Sequence, residues 1–324
     1  MRVIDIHAHL TPQRFRRAIE AGGRWHGLGP EYGELENPKN LWSPQRRIEE
    51  MDALGVDTQA LSSTDCFYQY DNDLATTLAI ARDANEELAE MSREHRDRFV
   101  GLGTLPMQDV TAAVAELERI MTELGLKGIM INDHVNGRTY EDPVFLPFWE
   151  AVEGLGVVVL FHQYAPTLVS YRTDRWFLAN TIGNLVDRAV TFGTLVFGGV
   201  LDRFPDLRLC LAHAGGYTAF GVDRMDKGWE AATLDYMSAE PRTNIDRPPS
   251  EYLGRFFYDS VTYKESTLRF LIDRVGIDQV VLGTDFPAPM ILEDAVTWIK
   301  GLESLTEGEK QAILWENPAR LLGL

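Results

Sequence analysis

Four short apolar runs, spread over the whole chain, each end in a histidine or an aspartate, and this pattern limits the fold more than any other feature. Val3-Ile4-Asp5-Ile6 leads into His7-Ala8-His9. Gly156-Val157-Val158-Val159-Leu160-Phe161 ends at His162, Leu207-Arg208-Leu209-Cys210-Leu211-Ala212 at His213, and Val280-Val281-Leu282-Gly283-Thr284 at Asp285. Continuous apolar runs rich in β-branched residues read as strands buried on both faces, the condition of a parallel sheet. Strand side chains alternate faces, so His7 and His9 point the same way. One polar residue at a strand end is ordinary. Four such ends are not accounted for by packing, because an unpaired buried histidine or aspartate costs free energy. Imidazole and carboxylate are common ligands of zinc-like ions, so the set predicts a metal site.

The rest of the chain supplies the matching elements. Further strands are expected at residues 56–62, 100–105, 128–132 and 256–261. Between them lie helical patterns: Ser43 as N-cap with Pro44 at the first helical position, running to Gly55, then residues 71–99, 109–124, 143–154, 265–276 and 292–322. Eight strands alternating with helices predict an α/β (β/α)8 barrel, whose sites lie at the C-terminal ends of its strands. A single domain over residues 1–324 is expected. Residues 11–40, rich in glycine, proline and charge, read as an irregular excursion that walls the site. Residues 173–204 read as a helix-rich insertion, apolar on more than one side, and predict a homodimer built through that segment.

Charge removes some function classes. Forty-nine acidic against 31 basic residues give a net charge of −18, which repels nucleic acid and anionic membrane surfaces. No segment has the apolar length of a membrane span, and a strand from Val3 leaves no room for a signal peptide. Cys66 and Cys210 form neither a disulfide framework nor a C-x-x-C zinc site, so the expected compartment is the reducing cytoplasm. Lys127 stands at the start of strand four, too far from the C-terminal mouth to bridge two ions as a carboxylated lysine, and one divalent ion is expected. His26 reads as a loop residue and His95 as a helix-end residue, while His134 reads equally as pocket wall or plain loop.

With H-x-H on strand one and His162, His213 and Asp285 on strands five, six and eight, the chain resembles the amidohydrolase superfamily. Gly101-Leu102-Gly103-Thr104-Leu105-Pro106-Met107-Gln108, Leu211-Ala212-His213-Ala214-Gly215-Gly216 and Leu282-Gly283-Thr284-Asp285-Phe286-Pro287 are similar to segments of its decarboxylase branch. That branch includes the α-amino-β-carboxymuconate-ε-semialdehyde, γ-resorcylate and 5-carboxyvanillate decarboxylases. The resemblance implies metal ligands His7, His9, His162 and Asp285, and His213 as catalytic acid/base. It also implies that Arg47, in Trp42-Ser43-Pro44-Gln45-Arg46-Arg47, binds a substrate carboxylate, which suits a bidentate guanidinium. The stretch Lys227-Gly228-Trp229-Glu230-Ala231-Ala232-Thr233 departs from the branch in carrying no arginine.

The expected activity is a metal-dependent, nonoxidative decarboxylation of a small aromatic or unsaturated carboxylic acid, with His213 or Asp285 moving the proton that replaces carbon dioxide. Zinc is the expected ion and manganese the alternative. The competing reading is hydrolysis of a lactone or amide at the same site, because fold alone does not decide chemistry.

Overall fold

A computed structural model of the chain describes residues 2–324. Its eight strands are β1 (Ile4–Leu10), β2 (Thr58–Ser63), β3 (Phe99–Gly103), β4 (Gly128–Ile131), β5 (Val158–Phe161), β6 (Arg208–Leu211), β7 (Phe256–Asp259) and β8 (Val280–Val281). They pair in parallel in sequence order. The last meets the first: the Ile6 amide donates to the Leu282 carbonyl at 2.9 Å and the Asp285 amide to the His7 carbonyl at 2.9 Å. A sheet that closes on itself has no free edge and buries both faces of every strand, which explains the unbroken apolar runs. The result is the expected (β/α)8 barrel. No helix among the described residues is long and apolar enough to cross a membrane.

The helix starts obey local chemistry where the sequence carries it. The Ser43 hydroxyl accepts from the Arg46 amide at 3.2 Å ahead of the helix Pro44–Leu54, which stops at Gly55 with φ of 73°. Asp73 caps Leu74–Glu94 in the same way. The eighth strand is shorter than expected. Beyond Val281 the chain meets β1 through single backbone bonds, such as His9 to Phe286, supplemented by the bonds of Thr284 to the Asp5 side chain.

The excursion after β1 is more ordered than its composition implies. It contains a helix, Gln13–Glu20, whose N-cap residue Pro12 offers no side-chain cap. The cap comes from 74 residues away: the Glu87 carboxylate accepts from the Gln13 amide at 2.6 Å and the Arg14 amide at 3.0 Å. Arg14 pairs with Asp83 and Glu90 on the same long helix. Phe15 closes the attachment, buried with Trp25, Leu28, Cys66, Phe67 and Ile80 in a small apolar cluster beside the barrel. An anion at a helix N-terminus meets both unsatisfied amides and the helix dipole. Replacing Glu87 by alanine should therefore destabilise the protein by about 1–3 kcal/mol. Limited proteolysis should then cut residues 11–40 first, and an unchanged urea midpoint with unchanged cleavage would show that the cap is idle.

Candidate metal centre

The barrel brings His7, His9, His162, His213 and Asp285 to one mouth. Asp285 Oδ1 lies 3.2 Å from His7 Nε2, 3.1 Å from His9 Nε2 and 3.8 Å from His162 Nε2; its Oδ2 lies 3.4 Å from His213 Nε2. The two β1 imidazoles approach to 3.1 Å, Nε2 to Nε2. This closeness depends on Gly283, where an added Cβ would come within 2.9 Å of His7 Cβ and 2.8 Å of Asp259 Cβ. Asp5, turned away from the mouth by the β1 irregularity, ties three strands together. Its carboxyl accepts from the Thr284 hydroxyl (2.7 Å), the Thr284 amide (3.1 Å) and Gln59 Nε2 (3.0 Å), and burial pushes it up to about 6.

Hydrogen bonds behind the two β1 rings fix how those rings are turned. His7 Nδ1 lies 2.7 Å from Asp259 Oδ2. Burial raises the Asp259 carboxyl, but the His7 bond, the His7 and His213 charges and backbone donors outweigh that and hold it below its ordinary value. A carboxylate there requires Nδ1 to carry a proton and turns Nε2 towards Asp285. His9 Nδ1 stands 3.0 Å from the Ser62 hydroxyl, which is itself 3.3 Å from the Ala8 carbonyl. The Ser62 hydroxyl, also 3.0 Å from Met130 Sδ, holds His9 Nδ1 so that its Nε2 faces Asp285 as well. Two such nitrogens and a carboxylate oxygen thus converge within 3.2 Å of one another, where a divalent cation would take the place of protons. Both ring nitrogens of His162 are buried without a hydrogen-bond partner. The donor set fits one divalent ion.

Asp259 escaped the sequence reading because the expected strand seven ran on to Val261, placing the aspartate inside it. It closes β7 in the way that the other ligand-type residues close their strands. Besides His7, it accepts from the amides of His213 (2.8 Å), Ala214 (2.7 Å) and Val261 (3.0 Å). These bonds hold His213 and Ala214 at φ of 55° and 56°; Asp285 has φ of 63°. Left-handed backbone at residues other than glycine costs on the order of 1–3 kcal/mol each and survives where the surroundings enforce it.

A cavity of about 160 Å³ lies over the cluster, walled by His9, His162, His213 and Asp285 with Glu34, Asn40, Thr64, Asp65, Gln163 and Asn184 among others. The excursion thus does wall the site, through Glu34 and Asn40. Asp65 Oδ2 stands 3.6 Å from His162 Nδ1, and burial pushes its carboxyl up to about 8. A second cavity of about 740 Å³ shares Asn180, Asn184, His213 and Asp285 with the first.

Arg47 is the one site candidate not brought to this mouth. The helix Pro44–Leu54 packs outside the barrel, where Arg47 Nε donates to Gln59 Oε1 at 2.9 Å and the guanidinium stacks 4.6 Å over Phe286. It lines a narrow crevice with Met51, Thr284 and Phe286, not the cavity over the histidines. Burial lowers it to about 9 despite the nearby Asp5 charge. Lys127 is exposed before β4. His134 bonds the Pro166 carbonyl at 2.9 Å and His26 pairs with Asp83 at 3.0 Å, both away from the cluster.

The chain belongs to the amidohydrolase family, whose profile matches residues 4–324. It is 32% identical over 336 residues to the 2-amino-3-carboxymuconate-6-semialdehyde decarboxylase of Dictyostelium discoideum, covering 99% of this chain and 91% of that one. Two solved structures share its fold at 27% identity over 100% of this chain. They are the 5-carboxyvanillate decarboxylase of Sphingomonas paucimobilis (TM-score 0.85, 99% of that chain) and the dihydroxybenzoic acid decarboxylase of Polaromonas sp. JS666 with bound manganese and 2-nitroresorcinol (TM-score 0.84, 97%). Within its family the chain is a metal-dependent carboxy-lyase, a decarboxylase rather than a hydrolase.

Removing an outer partner of a metal-binding histidine typically weakens metal affinity by about 10–100-fold. Asp259→Asn should do so here, measured by titrating a divalent ion into chelated protein. Equal affinity in the variant would show that His7 does not depend on Asp259.

Proposed function

We propose that His7, His9, His162 and Asp285 hold one divalent ion and that His213 delivers the proton that replaces carbon dioxide on a small aromatic or unsaturated carboxylic acid. The observation that carries this reading is the pair His213 Nε2 and Asp285 Oδ2, 3.4 Å apart on the wall shared by both cavities, beside the converging acceptors. Bound there, the ion would supply positive charge to orient and polarise the oxygens of an acid. The chain's own groups do the rest. Asp285 turns one oxygen to His7 and His9 and the other to His213, so the imidazole is aimed by the residue that anchors the ion. When the bond to the carboxyl carbon breaks, its electron pair stays on the ring or chain carbon. That carbon takes the proton from His213, and one carbon dioxide leaves for one proton consumed. Thr64, Gln163 and Asn184 offer neutral hydrogen-bonding groups to hold the substrate's remaining oxygens.

Three nitrogens and one carboxylate suit zinc, whereas the manganese bound by the Polaromonas enzyme supports that ion instead. Metal analysis of chelated and reconstituted protein should give about one ion per chain, with His162→Ala losing it. Carbon dioxide release should appear on a panel of hydroxybenzoates and muconate-type acids and be absent on a lactone panel, where turnover would favour hydrolysis. His213→Asn should keep its ion and lose about 10²–10⁴-fold in turnover; a metal-free variant, or near-normal turnover, overturns the role given to His213.

A homodimer belongs to the same reading. Trp176 and Phe177 are 76% and 54% exposed, and Ile182 beside them is exposed too, apolar surface that a second copy would cover. Light scattering at micromolar concentration should report twice the chain mass, and a monomer would remove this assignment. The buried free thiols of Cys66 and Cys210 suit a reducing compartment such as the cytoplasm.

A further inference from the structure

We infer that the acid taken by this site carries a single carboxylate and an uncharged, apolar arm that runs from the His213–Asp285 wall into the larger cavity. This deepens the decarboxylase reading and rests on it. The cavity over the histidines, about 160 Å³, is smaller than the roughly 300–1,000 Å³ usual for small-molecule sites, while the adjoining one, about 740 Å³, falls within that range. The two share Asn180, Asn184, His213 and Asp285, so a molecule with its reacting carbon at His213 has the larger cavity open beside it.

The lining decides what can fill that space. Leu185, Ala219, Val261, Phe270, Leu271 and Met290 face it, and its only ionisable groups besides tyrosine hydroxyls are His213 and Asp285, both already engaged at the mouth. A charged arm would meet no countercharge there, only neutral asparagine, threonine and tyrosine groups beside the apolar wall. A second carboxylate fares no better in the smaller cavity. Neither cavity is lined by a lysine or arginine among the described residues, and the smaller one is bounded by the Asp285 carboxylate. Arg47, the nearest sequence candidate for a second anchor, stacks on Phe286 in a separate crevice. Charge thus selects a monocarboxylate, and shape with apolarity selects the arm.

The test is calorimetric titration of manganese-reconstituted protein with 2-hydroxybenzoates bearing methyl, ethyl, propyl and butyl groups at the 4-position, with 4-carboxy-2-hydroxybenzoate as the dianionic comparator. Carbon dioxide release is followed on the same acids. Affinity should rise roughly threefold to fourfold per methylene, the gain expected for burying one such group, and the dicarboxylate should bind at least about tenfold more weakly than the methyl acid. Thr267, an exposed residue on the larger cavity's wall, provides the blocking variant: Thr267→Trp should bring the butyl-to-methyl affinity ratio down towards one. A flat chain-length series, a dicarboxylate bound as tightly as the butyl acid, or an unchanged ratio in Thr267→Trp overturns the inference. Carbon dioxide release with a flat series would strike the arm alone and leave the decarboxylase reading standing. A rising series without carbon dioxide release from any acid would uphold the arm site and strike that reading.

Discussion

The seam between β8 and β1 is the contact on which the rest of the molecule depends. A parallel barrel of eight strands leaves two raw edges unless its last strand finds its first, and here those two strands carry the groups that need each other most. Asp285 reaches His7 and His9 only because Gly283 lets the chain pass against His7 without a side chain in the way. β1 also shifts register against β2 between Asp5 and Ala8, and Asp5 binds Thr284 and Gln59 on its two sides. Architecture and chemistry therefore share one set of atoms. A substitution that loosened the seam would open the barrel and scatter the cluster together.

Within the cluster, the two β1 imidazoles are each held by a partner behind them. Asp259 takes the proton side of His7 and, through two further amides, holds the turn that carries His213. Ser62 does the corresponding task for His9. The left-handed backbone at His213, Ala214 and Asp285 is strain that these bonds enforce. Preorganisation of this kind removes the reorganisation that would otherwise accompany ligand binding, because the donor atoms already face the same point.

Strand ends and their histidines were legible because a closed parallel barrel imposes a severe pattern: short, apolar and β-branched runs, each free to be polar only where it emerges. Helix starts capped from within, as at Ser43 and Asp73, were legible for the same local reason. What stayed hidden came from distant partners. The helix Gln13–Glu20 has its cap on Glu87, so nothing beside Pro12 announces it. Arg47 sits where the Trp-Ser-Pro pattern puts it along the chain, yet a helix start does not say which neighbour will capture a long side chain; Gln59 and Phe286 did. Asp259 followed the rule that found the others, and was masked because apolar sequence resumes at Val261.

The sequence-order barrel also fixes the timing of the site. β1 begins at Ile4 and its closing partner at Val280, so His7 and His9 leave the ribosome long before Asp285 exists. Synthesis at about 5–20 residues per second makes that interval on the order of tens of seconds. Throughout it the first strand has one unpaired edge and two imidazoles without their carboxylate. Closure is the most non-local contact in the barrel and the slowest kind to form. Asp285 therefore joins the histidines only when the last strand has found the first, so the cluster is completed at the same moment as the barrel.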